Sequence, residues 1–185
     1  VGGLGMDNSE TVHHFDPMDY VGFWKRVMAS ILDFLVMIIP AVLIYFLSHS
    51  LATSMHSEIP IILQYILFLA FDIFMIVRFG GSPGKLILKI RIVNEQGNYP
   101  TLKEALVRNV FRIISVLITM VIGVSSYEFT VISSYFSLWE SLASDLNGIL
   151  GLIMLADYLC VALNSRKRAL HDMMAGTYVV EKSAI

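Results

Sequence analysis

Residues 23–47, FWKRVMASILDFLVMIIPAVLIYFL, decide how the chain is read. Lys25 and Arg26 open an apolar run that is long enough to cross a bilayer, for which about 20 residues suffice. Tyr20, Phe23 and Trp24 stand at its entrance, where aromatic rings favour the headgroup layer. Pro40 lies inside the run and predicts a kink, because proline removes a backbone donor. Asp33 also lies inside it, a carboxylate among hydrocarbon.

Three more apolar runs follow, at about residues 60–79, 105–124 and 146–163. All thirteen Lys and Arg fall on one side of the four runs. Lys25 and Arg26 precede the first. Arg78, Lys85, Lys89, Arg91, Lys103, Arg108 and Arg112 surround the connection between the second and third, and Arg166, Lys167, Arg168 and Lys182 follow the fourth. The connections 48–59 and 123–146 hold none. Lys and Arg mark the cytoplasmic side of membrane proteins. The pattern predicts four spans with both termini cytoplasmic.

Composition agrees. The 185 residues are 56% hydrophobic, against about 45–50% for a soluble domain. The excess sits in span-length blocks, so one membrane domain is expected over 20–180, with a cytoplasmic loop at 80–104. A polar tail at 1–19 precedes it, and residues 181–185 form a short C-terminal tail. The first five residues read as a cloning or protease remnant ahead of a native start at Met6. The single cysteine, Cys160, excludes an intramolecular disulfide and a cysteine metal site.

Between the runs, KLILKIRIVN (85–94) alternates apolar and basic residues, apart from Ile87 and Val93, and predicts a strand. NEQGN (94–98) predicts a turn. A second strand at 177–180 is expected to pair with the first as a small cytoplasmic β-ribbon. Thr101 and Glu104 have the spacing of a helix-capping box. In the segment 125–145, Phe129, Ile132, Phe136 and Trp139 recur at helical spacing against polar residues. They predict an amphipathic helix on the outer membrane surface, or a continuation of the third span. The expected fold is therefore an all-α four-transmembrane-helix bundle with the ribbon inside and the interfacial helix outside.

The most specific constellation is Asp33, Asp72 and Asp157, one carboxylate in each of three spans. On insertion scales each costs about 2.5–3.5 kcal/mol at mid-helix, so such acids face the bundle interior and find partners. Asp33 lies seven residues past Arg26, Asp72 six before Arg78, and Asp157 nine before Arg166. At about 1.5 Å per residue, all three should share one level in the inner half of the membrane. In one reading they bind a small cation or carry protons. In the other they pair with Arg26, Arg108 or Arg112 and fix the bundle, Asp72 having Arg78 within two turns.

Other motifs are weaker. GGSPGK (80–85) fails the phosphate-loop pattern in glycine spacing and in the residue after Lys85. His49, His56 and Glu58 are expected to be scattered loop residues, not a metal site. No nucleophile stands with a base, so no enzyme activity is expected. No cofactor is implied, and no aromatic-and-basic soluble face suits nucleic acid.

FWKRVMASILDF (23–34), SPGKLILKIRIVNEQG (82–97) with PTLKEALVRNVFR (100–112), and RKRALHDMMAGTYVV (166–180) together resemble the RDD family of small membrane proteins. The resemblance identifies Arg26, Asp33 and Asp172 as the arginine and two aspartates that name the family. It implies a role in transport, with some members resembling sodium/proton antiporters and others assembly scaffolds. It leaves Asp72 and Asp157 outside the triad. Arg26 is expected to be clamped between Asp172 and Asp33. The expected function is transport of small cations, with monovalent cation/proton antiport as the form it would take, by a homo-oligomer in the lipid bilayer; the alternative is a non-catalytic scaffold or accessory subunit.

Overall fold

The computed structural model describes residues 19–127, 131–163 and 167–185. Helix α1, Phe23–Met55, follows an extended Gly22 and ends at His56, whose φ of 47° is left-handed. Its 33 residues run eight past the end expected at Leu47. The added turns are polar, yet Ser48 Oγ donates to the Ile44 carbonyl at 2.7 Å and Thr53 Oγ1 to the His49 carbonyl at 3.1 Å. Polar groups satisfied by their own helix do not end it. At about 1.5 Å per residue α1 is some 50 Å long, well beyond a hydrocarbon core of about 30 Å.

Helix α2, Ile59–Phe79, carries Pro60 in its first turn and stops at Gly80, φ 69°. Gly80 ends it, since a left-handed cap is cheapest without a Cβ. The strand expected over 85–94 is only half there. Its first part is a short helix, α3, Pro83–Ile87, and the strand β1 is Ile90–Asn94. Ser82 is extended and Pro83 takes a first-turn position, where a missing N–H costs nothing. The carboxylate of Asp33 then accepts from Ser82 Oγ at 2.6 Å and from the Gly84 N–H at 2.7 Å, which supplies the cap. Lys89, φ 55°, makes the break between helix and strand.

β1 pairs antiparallel with β2, Thr177–Glu181, placing Ile92 opposite Val179 and Asn94 opposite Thr177. The ribbon does not hang apart from the helices. Ile90, Ile92 and Val179 are buried with Val21 and Ala29 of the α1 end, Ile76 of α2 and Ala105. Ala105 belongs to α4, Leu102–Arg108, which opens on the expected capping box: the Thr101 N–H donates to Glu104 Oε2 at 2.7 Å and the Glu104 N–H to Thr101 Oγ1 at 3.3 Å. Helix α5, Val110–Ser125, turns away from α4 by 65° at Asn109.

Beyond it lie α6, Val131–Ser137, and α7, Glu140–Leu163. The amphipathic segment is thus one short helix followed by an early start of the fourth run. Ile132, Trp139 and Leu142 are exposed, while Phe136 packs on a cluster of Ala52, Ile61 and Val124. Phe129 lies outside the described residues. A last short helix, α8, Leu170–Met174, precedes β2. The helices α1, α2 and α7 are each long and apolar enough to cross a membrane, and the bent pair α4–α5 makes a fourth such segment if it counts as one span.

Candidate functional site

Three chain segments converge on one buried carboxylate. Arg26 comes from the first turns of α1, Arg108 from the end of α4 and Asp172 from α8. Asp172 is wholly buried and each arginine side chain is 4% exposed. Arg26 Nη1 lies 2.5 Å from Asp172 Oδ2, and Arg108 Nη1 pairs with Asp172 Oδ1. Further donors and acceptors join the cluster. Arg26 Nη2 donates to the Lys167 carbonyl at 2.5 Å and Nε to the Val21 carbonyl at 3.2 Å. Arg108 Nη1 also donates to Thr177 Oγ1 at 2.9 Å. Arginine suits the position because its planar fork stays charged and binds several acceptors in fixed directions. Burial pushes the Asp172 carboxyl up, but the guanidiniums of Arg108 and Arg26 outweigh it and hold it well below the usual carboxylate range.

The expected clamp therefore forms on one side only. Asp172 joins Arg26 as expected, but the second partner is Arg108 binding Asp172, not Asp33 binding Arg26. Asp33 and Arg26 share a helix face, yet seven residues of rise separate them by about 10 Å. Asp33 is taken instead by the start of α3. Gly84 makes that approach possible: a Cβ there would lie 2.2 Å from the Ala29 carbonyl oxygen and 2.6 Å from the Asp33 nitrogen.

Asp33, Asp72 and Asp157 do meet. All three line one cleft of about 540 Å³, together with Lys85, Arg112 and His171. Asp72 pairs with Arg112 at 2.6 Å rather than with Arg78. Six residues along a helix is one and two-thirds turns, so Arg78 points to another face of α2. Asp157 is joined by His171, whose Nδ1 is 2.5 Å from Oδ2 and whose N–H donates to Oδ1 at 2.8 Å. His171 Nε2 is 3.3 Å from Asp172 Oδ1, so the imidazole connects the cleft to the arginine cluster. Burial and Arg108 together hold the His171 imidazole below its ordinary pKa, against the upward pull of Asp157 and Asp172.

His171, Ser82 and Gly84 were not among the candidates in the sequence. His171 carries one usable signal: it adjoins Asp172, so an element that brings Asp172 inward must bring its neighbour to the same wall. Chemically, the cleft combines an acid–imidazole pair, an acid–guanidinium pair, a capped carboxylate and a lysine. It can hold or pass a proton and can receive small charged groups.

The model of the RDD family matches residues 20–176. A curated relative, "Uncharacterized protein YckC" of Bacillus subtilis (strain 168), is 28% identical over 160 residues, covering 85% of this chain and 82% of its own. No solved structure matches. The family match takes in Arg26, Asp33 and Asp172 together with every residue of the cleft, and the chain belongs to the RDD family.

Proposed function

We propose that this chain is a four-span protein of a bacterial cytoplasmic membrane, with both termini in the cytoplasm, that exchanges protons, and with them small monovalent cations, through the cleft. The observation that carries the reading is the Asp157–His171 pair: an acid and an imidazole 2.5 Å apart on the wall of a cleft that two other spans supply with carboxylates. This pair can gain or lose a proton without breaking an arginine bridge. Asp33 and Asp72 would share the cation, and Arg112 would compete for Asp72. Four spans enclose little volume, so a homo-oligomer would complete the conduit. The chain would work without a cofactor and would not be an enzyme.

Sodium-driven proton flux in proteoliposomes tests this. Flux above that of empty vesicles is expected for the unaltered chain and should fall to the empty-vesicle level in Asp157→Asn, which keeps the shape and loses the titration. Absence of flux with sodium, potassium and lithium would sink the proposal. A scaffold role is the second reading. It is favoured by the partners that each cleft carboxylate already has: Ser82 and Gly84, Arg112, and His171. That reading expects Asp157→Asn to be tolerated and a partner protein to remain bound on purification.

A further inference from the structure

The charged cleft does not end at its charges. Phe34, Met37 and Ala41 of α1 and Phe68 of α2 line its upper wall, and the same four residues line a second, almost wholly apolar groove of about 550 Å³. The groove continues along α1 to Tyr45 and Phe46 and ends beside Gln64 of α2. Gln64 is bonded to Ser48, so a polar pair closes the far end. From Asp33 to Tyr45 the rise is about 18 Å, close to one leaflet of a hydrocarbon core about 30 Å thick.

The charged end has one polar group to spare. Asp33, Asp72 and Asp157 each accept from a protein donor. Lys85 lines the same cleft, and among the described residues its ammonium has no hydrogen bond or ion pair. Arg112 stands on the cleft wall with its side chain 56% exposed. The Lys85 ammonium and the guanidinium donors that Arg112 does not spend on Asp72 are cationic, so the complementary ligand group is an anion. An anionic head joined to an apolar tail one leaflet long describes a membrane phospholipid.

We propose that the cleft and groove form one site for a phospholipid of the cytoplasmic leaflet, its phosphate on Lys85 and Arg112 and one acyl chain between α1 and α2 along Phe34, Met37, Ala41 and Phe68. The length of α1 is consistent with this placement. A helix some 50 Å long leaves turns outside the hydrocarbon, and its charged contacts, from Arg26 to Asp33, gather at the N-terminal end. The cleft floor then lies at headgroup depth and the groove runs from it toward the bilayer centre. The site does not depend on proton exchange: a tenant lipid would serve a transporter or a scaffold equally.

Native mass spectrometry of the full chain in detergent, titrated with palmitoyl-oleoyl phosphatidylglycerol, tests the site. One tight adduct per chain is expected. Lys85→Gln should weaken it about tenfold, as the loss of one charge-assisted contact would. Ala41→Phe, which fills the groove where the two cavities join, should remove it. Ile39→Phe, on an exposed face of α1 that lines neither cavity, should leave it unchanged. Glycerol phosphate and diacylglycerol, the head and the tail alone, should each bind more weakly than the whole lipid. Independently of any variant, a phosphatidylglycerol with a diazirine at the end of its acyl chain should label peptides holding Tyr45, Phe46 or Gln64. Equal adducts in Ala41→Phe and Ile39→Phe, labelling spread evenly over the apolar surface, or glycerol phosphate binding as tightly as the lipid would each overturn the site.

Discussion

Asp172→Asn is expected to cost about 3–5 kcal/mol, the usual loss when one partner of a buried ion pair is removed. Against a total stability of about 5–15 kcal/mol, little folded protein should then survive extraction into detergent. The change is nearly isosteric, so the loss measures charge. Arg26 and Arg108 would stay buried with no carboxylate between them, and each is tied to a different segment: Arg26 to the Lys167 and Val21 carbonyls, Arg108 to Thr177. Thermal unfolding in dodecyl maltoside reads the effect. It also gives a pH signature. Because the folded Asp172 carboxyl is held below its ordinary range, its contribution is fully present above the pKa of the unfolded chain. It is lost progressively as the pH falls through the carboxylate range toward the folded value. A variant less drastic than Asn, Arg26→Lys, should keep the charge and lose the fork that reaches Asp172 and Lys167 together. A melting temperature for Asp172→Asn within a degree or two of the unaltered chain would contradict the structural role assigned to the cluster.

Gly84→Ala is the second large effect. The added methyl would fall on the Ala29 carbonyl and the backbone nitrogen of Asp33, both within the body of α1 and unable to swing aside. Overpacking of this kind costs about 1–3 kcal/mol. The cheapest relief is for α3 to move off α1, which breaks the bond from the Gly84 N–H to Asp33 and the bond from Ser82. A control is built into the chain. Gly148, inside α7, has nothing within 4 Å of its would-be Cβ, so Gly148→Ala should be neutral or gain up to about 1 kcal/mol from helix propensity. Comparing the two melting curves separates contact from backbone entropy. Equal behaviour of the two variants would show that α3 is not seated tightly on α1.

What was legible in the residues follows from how local each determinant is. Apolar runs must be continuous to cross lipid, so the long helices could be read directly. The capping box at Thr101 and Glu104 closes within four residues and is legible for that reason. The first ribbon strand alternates over a few positions and the second is a short β-branched and aromatic run, so both are legible, although the pattern extends the first too far. Its opening turn is a helix because Asp33, far back in the chain, caps it, and no window around Pro83 contains that carboxylate. The same limit governs the site. The convergence of Asp33, Asp72 and Asp157 on one cleft was legible, since lipid forces such acids inward. Their partners were not. Arg78 is near Asp72 in sequence but on another face of α2, whereas Arg112 arrives from a separate helix beyond a 65° bend. Asp157 meets His171 only after the chain has left α7 and turned into α8.

The proposal that the cleft walled by carboxylates of three helices opens to the cytoplasmic side of the membrane can be tested by thiol accessibility. The protein would carry Asp72→Cys in a Cys160→Ser background, with a charged thiol reagent that cannot cross lipid. Modification in inside-out vesicles, with protection in right-side-out vesicles, is the expected result. Modification from the outer face, or from neither face, would contradict it.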